Sequence, residues 1–140
     1  MKNHLKIKQR ATFVVILIGM GIITHLSYRW MHPEWLAFRQ ADNYFRDKNW
    51  QDSIPFFEKS LALGINRPQV MTQIAHAYGQ MKNYPKAIYW YQKYLSINPN
   101  QLWARKALAG MLTANGEFDK AAEQYRLILE IEGNKVDDNQ

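Results

Sequence analysis

The sequence predicts an all-α chain in which a single N-terminal transmembrane helix is followed by an α-solenoid of three helix–turn–helix units. Three observations carry this expectation: a spacing of 34 residues that recurs through most of the chain, turn-forming residues at matching phases of it, and an uncharged apolar run ahead of it. Ala41, Ala75 and Ala109 share one phase of the spacing, and Tyr44, Tyr78 and Leu112 share another. Trp50, Tyr84 and Phe118 follow, then Ser53, Ala87 and Ala121, then Phe57, Tyr91 and Tyr125, and finally Leu61, Leu95 and Leu129. Small residues let two helices approach closely and large rings fill the gaps between them, so each unit needs a neighbour to bury its face.

In this order of small and large residues the chain resembles the tetratricopeptide repeat (TPR) family over roughly residues 34–134. The middle unit matches best, with Ala75, Tyr78, Ala87, Tyr91 and Pro99 in the family's small–aromatic–small–aromatic–proline order. The first unit departs at Ser53 and Ser60, where small apolar residues are usual, and at Ile65, where a closing proline is expected. Tyr94 replaces a small residue in the second unit, and the third ends in Gly133. The resemblance implies a protein-binding module, used in assembly, secretion or maturation of envelope complexes.

Turn chemistry divides the chain in the same way. Asp47-Lys48-Asn49, Lys82-Asn83 and Asn115-Gly116 stop one helix and cap the next, while Gly64 to Pro68 and Asn98-Pro99-Asn100 separate the units. Pro85 falls in the first turn of a helix, where its missing N–H costs nothing. Pro55 lies deeper, and a frayed or tight first turn is expected there.

Ahead of the repeats, Ala11 to Tyr28 contains no acid, lysine or arginine and is about as long as a hydrocarbon core requires. A secretory signal also combines a charged start with an apolar middle, but here bulky Leu26, Tyr28 and Trp30 stand where a peptidase needs small residues. The run is therefore expected to be an uncleaved anchor. Lys2, Lys6, Lys8 and Arg10 precede it and only Arg29 follows closely, so its N-terminus is expected in the cytoplasm and the repeats in the periplasm, the protein being single-pass in the inner membrane. The expected organisation is a basic cytoplasmic tail at 1–10, an anchor at 11–30, repeat units at 34–67, 68–101 and 102–135, and a polar tail at 136–140.

A formal net charge of +6 could suggest nucleic acid. From Met31 onward, however, 13 basic residues face 12 acidic ones, and this near-neutral balance argues against a nucleic-acid partner. The charge is uneven along the chain: Lys59 to Gly116 holds seven basic residues and no acid, and acids dominate from Glu117 onward. A positive middle and a negative end can steer a partner.

Helical phase places Trp35, Phe38, Asp42, Phe45 and Arg46 on the inner surface of the first unit, Gln69, Thr72, His76 and Gln80 on that of the second, and Trp103, Lys106, Gly110 and Thr113 on that of the third. Rings supply buried area while amides and charges set register, which suits an extended client peptide or a partner helix. The basic clamp that some TPR modules use for peptide carboxylates is not assembled, since Phe38, Asp42, Gln73, Trp103 and Ala107 stand at its positions. In the apolar run, Gly21, Thr24, His25 and Tyr28 recur at i, i+3, i+4 and i+7 and make a small and polar stripe for a second membrane helix.

No cofactor, metal or catalytic chemistry is expected. The chain has no cysteine, and His4, His25, His32 and His76 are scattered over tail, span, interface and groove. Repeat stacks end in a polar cap, yet only Glu132 to Gln140 follows Leu127, Ile128, Leu129 and Ile131, so a partner subunit or a second copy is expected to cover that end. The sequence thus predicts a non-catalytic, membrane-anchored scaffold that binds other proteins. Its alternatives are a permanent accessory subunit of a larger membrane complex and an organelle-membrane receptor with cytosolic repeats.

Overall fold

A computed structural model describes residues 2–137, with side chains over 13–28 and 30–133. Among the described residues there are seven helices and no strand: α1 (Lys2–Met31), α2 (Pro33–Arg46), α3 (Trp50–Ala62), α4 (Gln69–Gln80), α5 (Tyr84–Ile97), α6 (Leu102–Ala114) and α7 (Phe118–Asp137). Helices α2 and α3, α4 and α5, and α6 and α7 pack as hairpins, and successive hairpins meet through α3 with α4 and α5 with α6. This is the stacked order of a TPR-like solenoid, in which each unit contacts only its neighbours.

Alanine sets the helix spacing. Ala41, Ala75, Ala87, Ala109 and Ala121 are all buried at or near full exclusion of solvent. One apolar cluster joins the first two hairpins through Ala41, Ile54, Phe57, Val70, Ile74 and Ala77. A second joins the second and third hairpins through Ile88, Tyr91, Leu95, Ala104, Leu108 and Leu112.

Each hairpin turns through a left-handed residue at the same phase: Lys48 (φ 59°), Lys82 (φ 58°) and Gly116 (φ 83°). The N–H of the following residue reaches back five positions, from Asn49 to the Tyr44 carbonyl, Asn83 to Tyr78 and Glu117 to Leu112. That is the Schellman closure, for which glycine is the unstrained residue. The side chains of Asn49 and Asn83 then cap α3 and α5 by accepting from the N–H of Asp52 and of Lys86.

The departures from the family pattern have local explanations. Ser53 and Ser60 are buried without an orphaned hydroxyl, because Oγ donates to the Trp50 carbonyl at 2.8 Å and to the Phe57 carbonyl at 2.7 Å. Ile65 is buried in the first apolar cluster, so it contributes packing where a proline would contribute only a bend. Tyr94 is buried, its ring 5.4 Å from that of Trp103. The fraying expected at Pro55 does not occur, as α3 runs unbroken from Trp50 to Ala62 with the proline inside it. Its first turn is held by the Asn49 cap and by Trp50, whose ring stands edge-on to Phe45 at 5.0 Å.

Helix α7 does not turn back after Gly133 but continues to Asp137. Of the expected polar tail, residues 136–137 therefore end this helix and 138–140 lie outside the described residues. At the other end α1 is a continuous helix exposed around its whole described circumference. Among the described residues no single helix is long and apolar enough to cross a membrane. Phe13–Tyr28 satisfies length and hydropathy only together with Pro33–Arg46, from which it is bent by 87°, and α2 is committed to packing on α3 through Ala37 and Ala41. The side chains of the basic tail 1–10 are outside those described.

Candidate protein-binding site

Two aromatic groups gather the inner-surface residues of the first two hairpins. In the first, Trp35 meets Phe38 edge-on at 5.9 Å, both on the first two turns of α2. The guanidinium of Arg67, from the loop between α3 and α4, lies 4.5 Å from the Trp35 ring centre and 5.3 Å from that of Phe38. Arg67 stays exposed and keeps its charge available while its guanidinium lies over the rings. Phe38, Arg67, Gln69, Val70 and Gln73 together line a hollow of about 360 Å³.

The second group is formed by Phe45, Trp50 and His76. The His76 ring is 5.6 Å from Phe45 and 5.5 Å from Trp50, and its residue is exposed. Phe45 itself is half-buried and packs at 5.7 Å on Phe57, so its ring belongs chiefly to the apolar cluster between hairpins. Thr72 is buried, and its hydroxyl donates to the Gln69 carbonyl at 2.7 Å, so its proton is used within its own helix. Asp42 is half-buried, whereas Arg46 and Gln80 are exposed. In the third hairpin Trp103 is exposed against Tyr94, and Lys106 reaches Glu132 of α7 at 3.5 Å in a solvent-exposed ion pair.

The polar stripe of α1 is divided. The Thr24 hydroxyl donates to the Gly21 carbonyl at 2.9 Å, so it is satisfied within its own helix, and Gly21 faces open space. His25 and Tyr28 instead line a cleft of about 400 Å³ with His32, Trp35, Leu36, Phe38 and Arg39. This cleft connects the end of α1 to the same Trp35 and Phe38 that carry Arg67. Glu34 sits in the first turn of α2, where its own backbone N–H and then His32 at 3.0 Å hold its carboxyl below the usual carboxylate range.

Arg67 is the residue that periodicity did not place in the groove. It lies in the break from Gly64 to Pro68, and only the way Gly64 (φ 90°) folds that loop back, with the Ile65 N–H donating to the Ser60 carbonyl, brings it onto α2. Among the described residues no group of histidine and acid side chains is placed to hold a metal ion.

Stacked hairpins of this kind with exposed rings and charges on their inner surface define a helical-repeat interaction module. Residues 68–101 match the tetratricopeptide repeat family model, so the middle hairpin is a tetratricopeptide repeat in sequence, and the hairpins on either side stack on it in a TPR-like solenoid. No curated protein matches the sequence. Among solved structures the chain is similar to the crystal structure of MamA protein, with TM-score 0.68, 22% identity, and coverage of 74% of this chain and 57% of that one. It spans less than two thirds of that MamA chain and, at 61%, of a second MamA crystal structure with TM-score 0.66 and 22% identity over 74% of this chain. It is also similar to the first TPR of Spaghetti (RPAP3) bound to the HSP90 peptide SRMEEVD, with TM-score 0.62, 20% identity, and coverage of 72% of this chain and 80% of that one.

Proposed function

We infer that the chain is a non-catalytic adaptor that binds a protein partner along the inner surface of its repeats, held by α1 in the inner (cytoplasmic) membrane with the repeats in the periplasm, and serving assembly, maturation or secretion at the envelope. The observation that carries the reading is Arg67 stacked on Trp35 and Phe38 beside the amides of Gln69 and Gln73. Such a hollow offers a cation, two apolar rings and amides, which suits an extended segment that places an acidic side chain next to an apolar one. The RPAP3 module is bound to an acidic peptide, although here Phe38, Asp42, Gln73, Trp103 and Ala107 replace the basic clamp and a single arginine from a loop takes the cationic role. Support for the anchor comes from α1, whose apolar side chains from Phe13 to Leu26 are exposed on every face, as a lipid-facing helix requires. Support for its orientation comes from the basic residues ahead of it.

A second reading, a permanent subunit of a membrane complex, is favoured by the cleft in which His25 and Tyr28 of α1 meet Trp35 and Arg39 of α2. A partner helix there would contact span and repeat at once. Both readings are tested by extracting the tagged full-length protein gently from its native membrane and identifying what travels with it. Companions that vary with conditions, and are lost in an Arg67→Ala, Gln73→Ala double variant, support groove capture. A companion at fixed ratio supports the second reading, and a complex untouched by that variant and by His76→Ala with Lys106→Ala dismisses the groove. Cleavage of a C-terminal tag by protease added to spheroplasts tests the orientation; protection there reverses it.

A further inference from the structure

The cleft between the end of α1 and the start of α2 differs in chemistry from the groove. Its polar lining is His25, Tyr28, His32 and Arg39, beside the rings of Trp35 and Phe38. No acid lines it among the described residues. Arg39 is exposed and, among the described residues, has no acid within ion-pair distance. The carboxylate of Glu34 is taken up by His32 Nδ1 at 3.0 Å, and the tilted rings of Tyr28 and His32, 4.6 Å apart, form one wall.

This lining selects an anion. A second cation on the Trp35 ring would meet the Arg67 guanidinium already 4.5 Å from its centre. An anion would instead find the permanent charge and forked donors of Arg39, with imidazole nitrogens and a phenol beside them, which is the donor set a phosphate needs.

The source of that phosphate follows from the rest of α1. Three, four and seven positions before His25, on the same helical face, stand Ile22, Gly21 and Ile18. Ile22 and Ile18 are 55% and 57% exposed, and Gly21 has open space where a side chain would be. A polar headgroup in the cleft thus continues into an apolar strip with a notch in it, which fits an acyl chain. A soluble phosphate ester would use the polar half and leave the strip bare. Trp30 and Met31 are exposed at the same end of α1, where a tryptophan ring suits the membrane–water boundary. The size also favours a lipid: about 400 Å³ lies in the small-molecule range of about 300–1,000 Å³, whereas a helix about 10–12 Å across would send only side chains into it.

We propose that this cleft binds the headgroup of an anionic phospholipid, its phosphate held by Arg39 with His25 and Tyr28 and an acyl chain lying along Ile18, Gly21 and Ile22 of α1. The site rests on the reading of α1 as a membrane anchor. A lipid held in this way joins the anchor to the first helix of the array across the 87° bend between them.

The test has two stages, so that the anchor and the lipid site fail separately. Native membranes carrying the full-length protein are first washed with alkaline carbonate, and the protein is expected to stay in the pellet; its release overturns the anchor reading and the lipid site with it. Fluorescent phosphatidylglycerol is then titrated into the full-length protein in neutral detergent. Saturable binding is expected, about tenfold or more weaker in Arg39→Ala, and weaker also in His25→Ala. Lys59→Ala, an exposed cation on α3, should leave it unchanged. All three side chains are exposed, so the variants should keep the helical circular dichroism of the parent, and an Arg39→Ala protein that loses it is replaced by Arg39→Gln read in the same way. Absence of saturable binding by a carbonate-resistant protein overturns the lipid site alone. Equal competition by phosphatidylcholine overturns its selection of an anion, and equal competition by glycerol 3-phosphate makes it a site for a soluble phosphate ester. A protein companion lost in Arg39→Ala while phosphatidylglycerol binding is unchanged gives the cleft to a partner helix instead.

Discussion

At the N-terminal edge of the array α2 presents Leu36, Gln40 and Asn43, whereas at the C-terminal edge α7 presents Phe118, Ala122, Tyr125 and Leu129. Both edges are built from positions that are apolar and buried between hairpins, yet only the first has been made polar. An edge that carries Gln40 and Asn43 ends a solenoid in water; one that carries Phe118 and Leu129 leaves it open to extension. The contrast leaves the first edge polar and the second apolar among the described residues.

The largest effect that sharpens this contrast comes from truncating the same phase in two hairpins. Phe57→Ala removes the largest fully buried side chain and should cost about 3–5 kcal/mol, whereas Tyr125→Ala, at the same phase of α7, should stay within about 0.5 kcal/mol for the protein alone. Urea unfolding of the two variants measures the difference, and equal losses would break the comparison. Next comes Ala109→Leu, which forces α6 and α7 apart where Ala109 is fully buried and should cost about 1–3 kcal/mol; an unchanged midpoint would contradict the packing by alanine.

A smaller effect has the opposite sign. Lys48→Gly and Lys82→Gly relieve left-handed backbone where the third hairpin already has Gly116, and each should stabilise by about 1 kcal/mol. Loss of stability in both would mean that the lysine side chains contribute more than the backbone strain costs.

The smallest effect depends on pH. Hydrogen bonds from Lys120 and then Asn115 hold the Glu117 carboxyl below its usual range, and Glu117 in turn raises Lys120. A lowered folded value means the carboxylate's contribution is present above the ordinary carboxylate range and is lost as pH falls through that lowered value. For Lys120 the contribution is complete below the ordinary lysine range and is lost as pH rises through the raised value. The melting difference between the parent and Glu117→Gln should therefore be flat around neutrality and shrink at both extremes. A difference that grows on acidification contradicts the pairing.

Much of the array is legible in the sequence because its causes are local or strictly periodic. The alanine phases, the breaks at Lys48, Lys82 and Gly116 and the capping asparagines each follow from a steric or hydrogen-bonding requirement within a few residues. Exposure of individual groove residues is less legible. Thr72 and Phe45 share the helical phase of His76 and Trp35, but α4 rotates Thr72 inward and the neighbouring α3 draws Phe45 onto Phe57. Arg67 carries no periodic signal, since its place on Trp35 depends on the path of a loop. The pairing of Lys106 with Glu132 joins two helices 26 residues apart in sequence and depends on how α7 lies against α6.

By itself the sequence determined that the chain is a stack of helical hairpins with an apolar helix before it, because a 34-residue alternation of small and large residues can bury its surface only by stacking. Only the tertiary structure decided which members of that alternation remain in water. The residues of α3, α5 and α7 are chemically alike, and their burial among the described residues depends on which neighbouring helix packs against them, which no window of sequence within a single unit records.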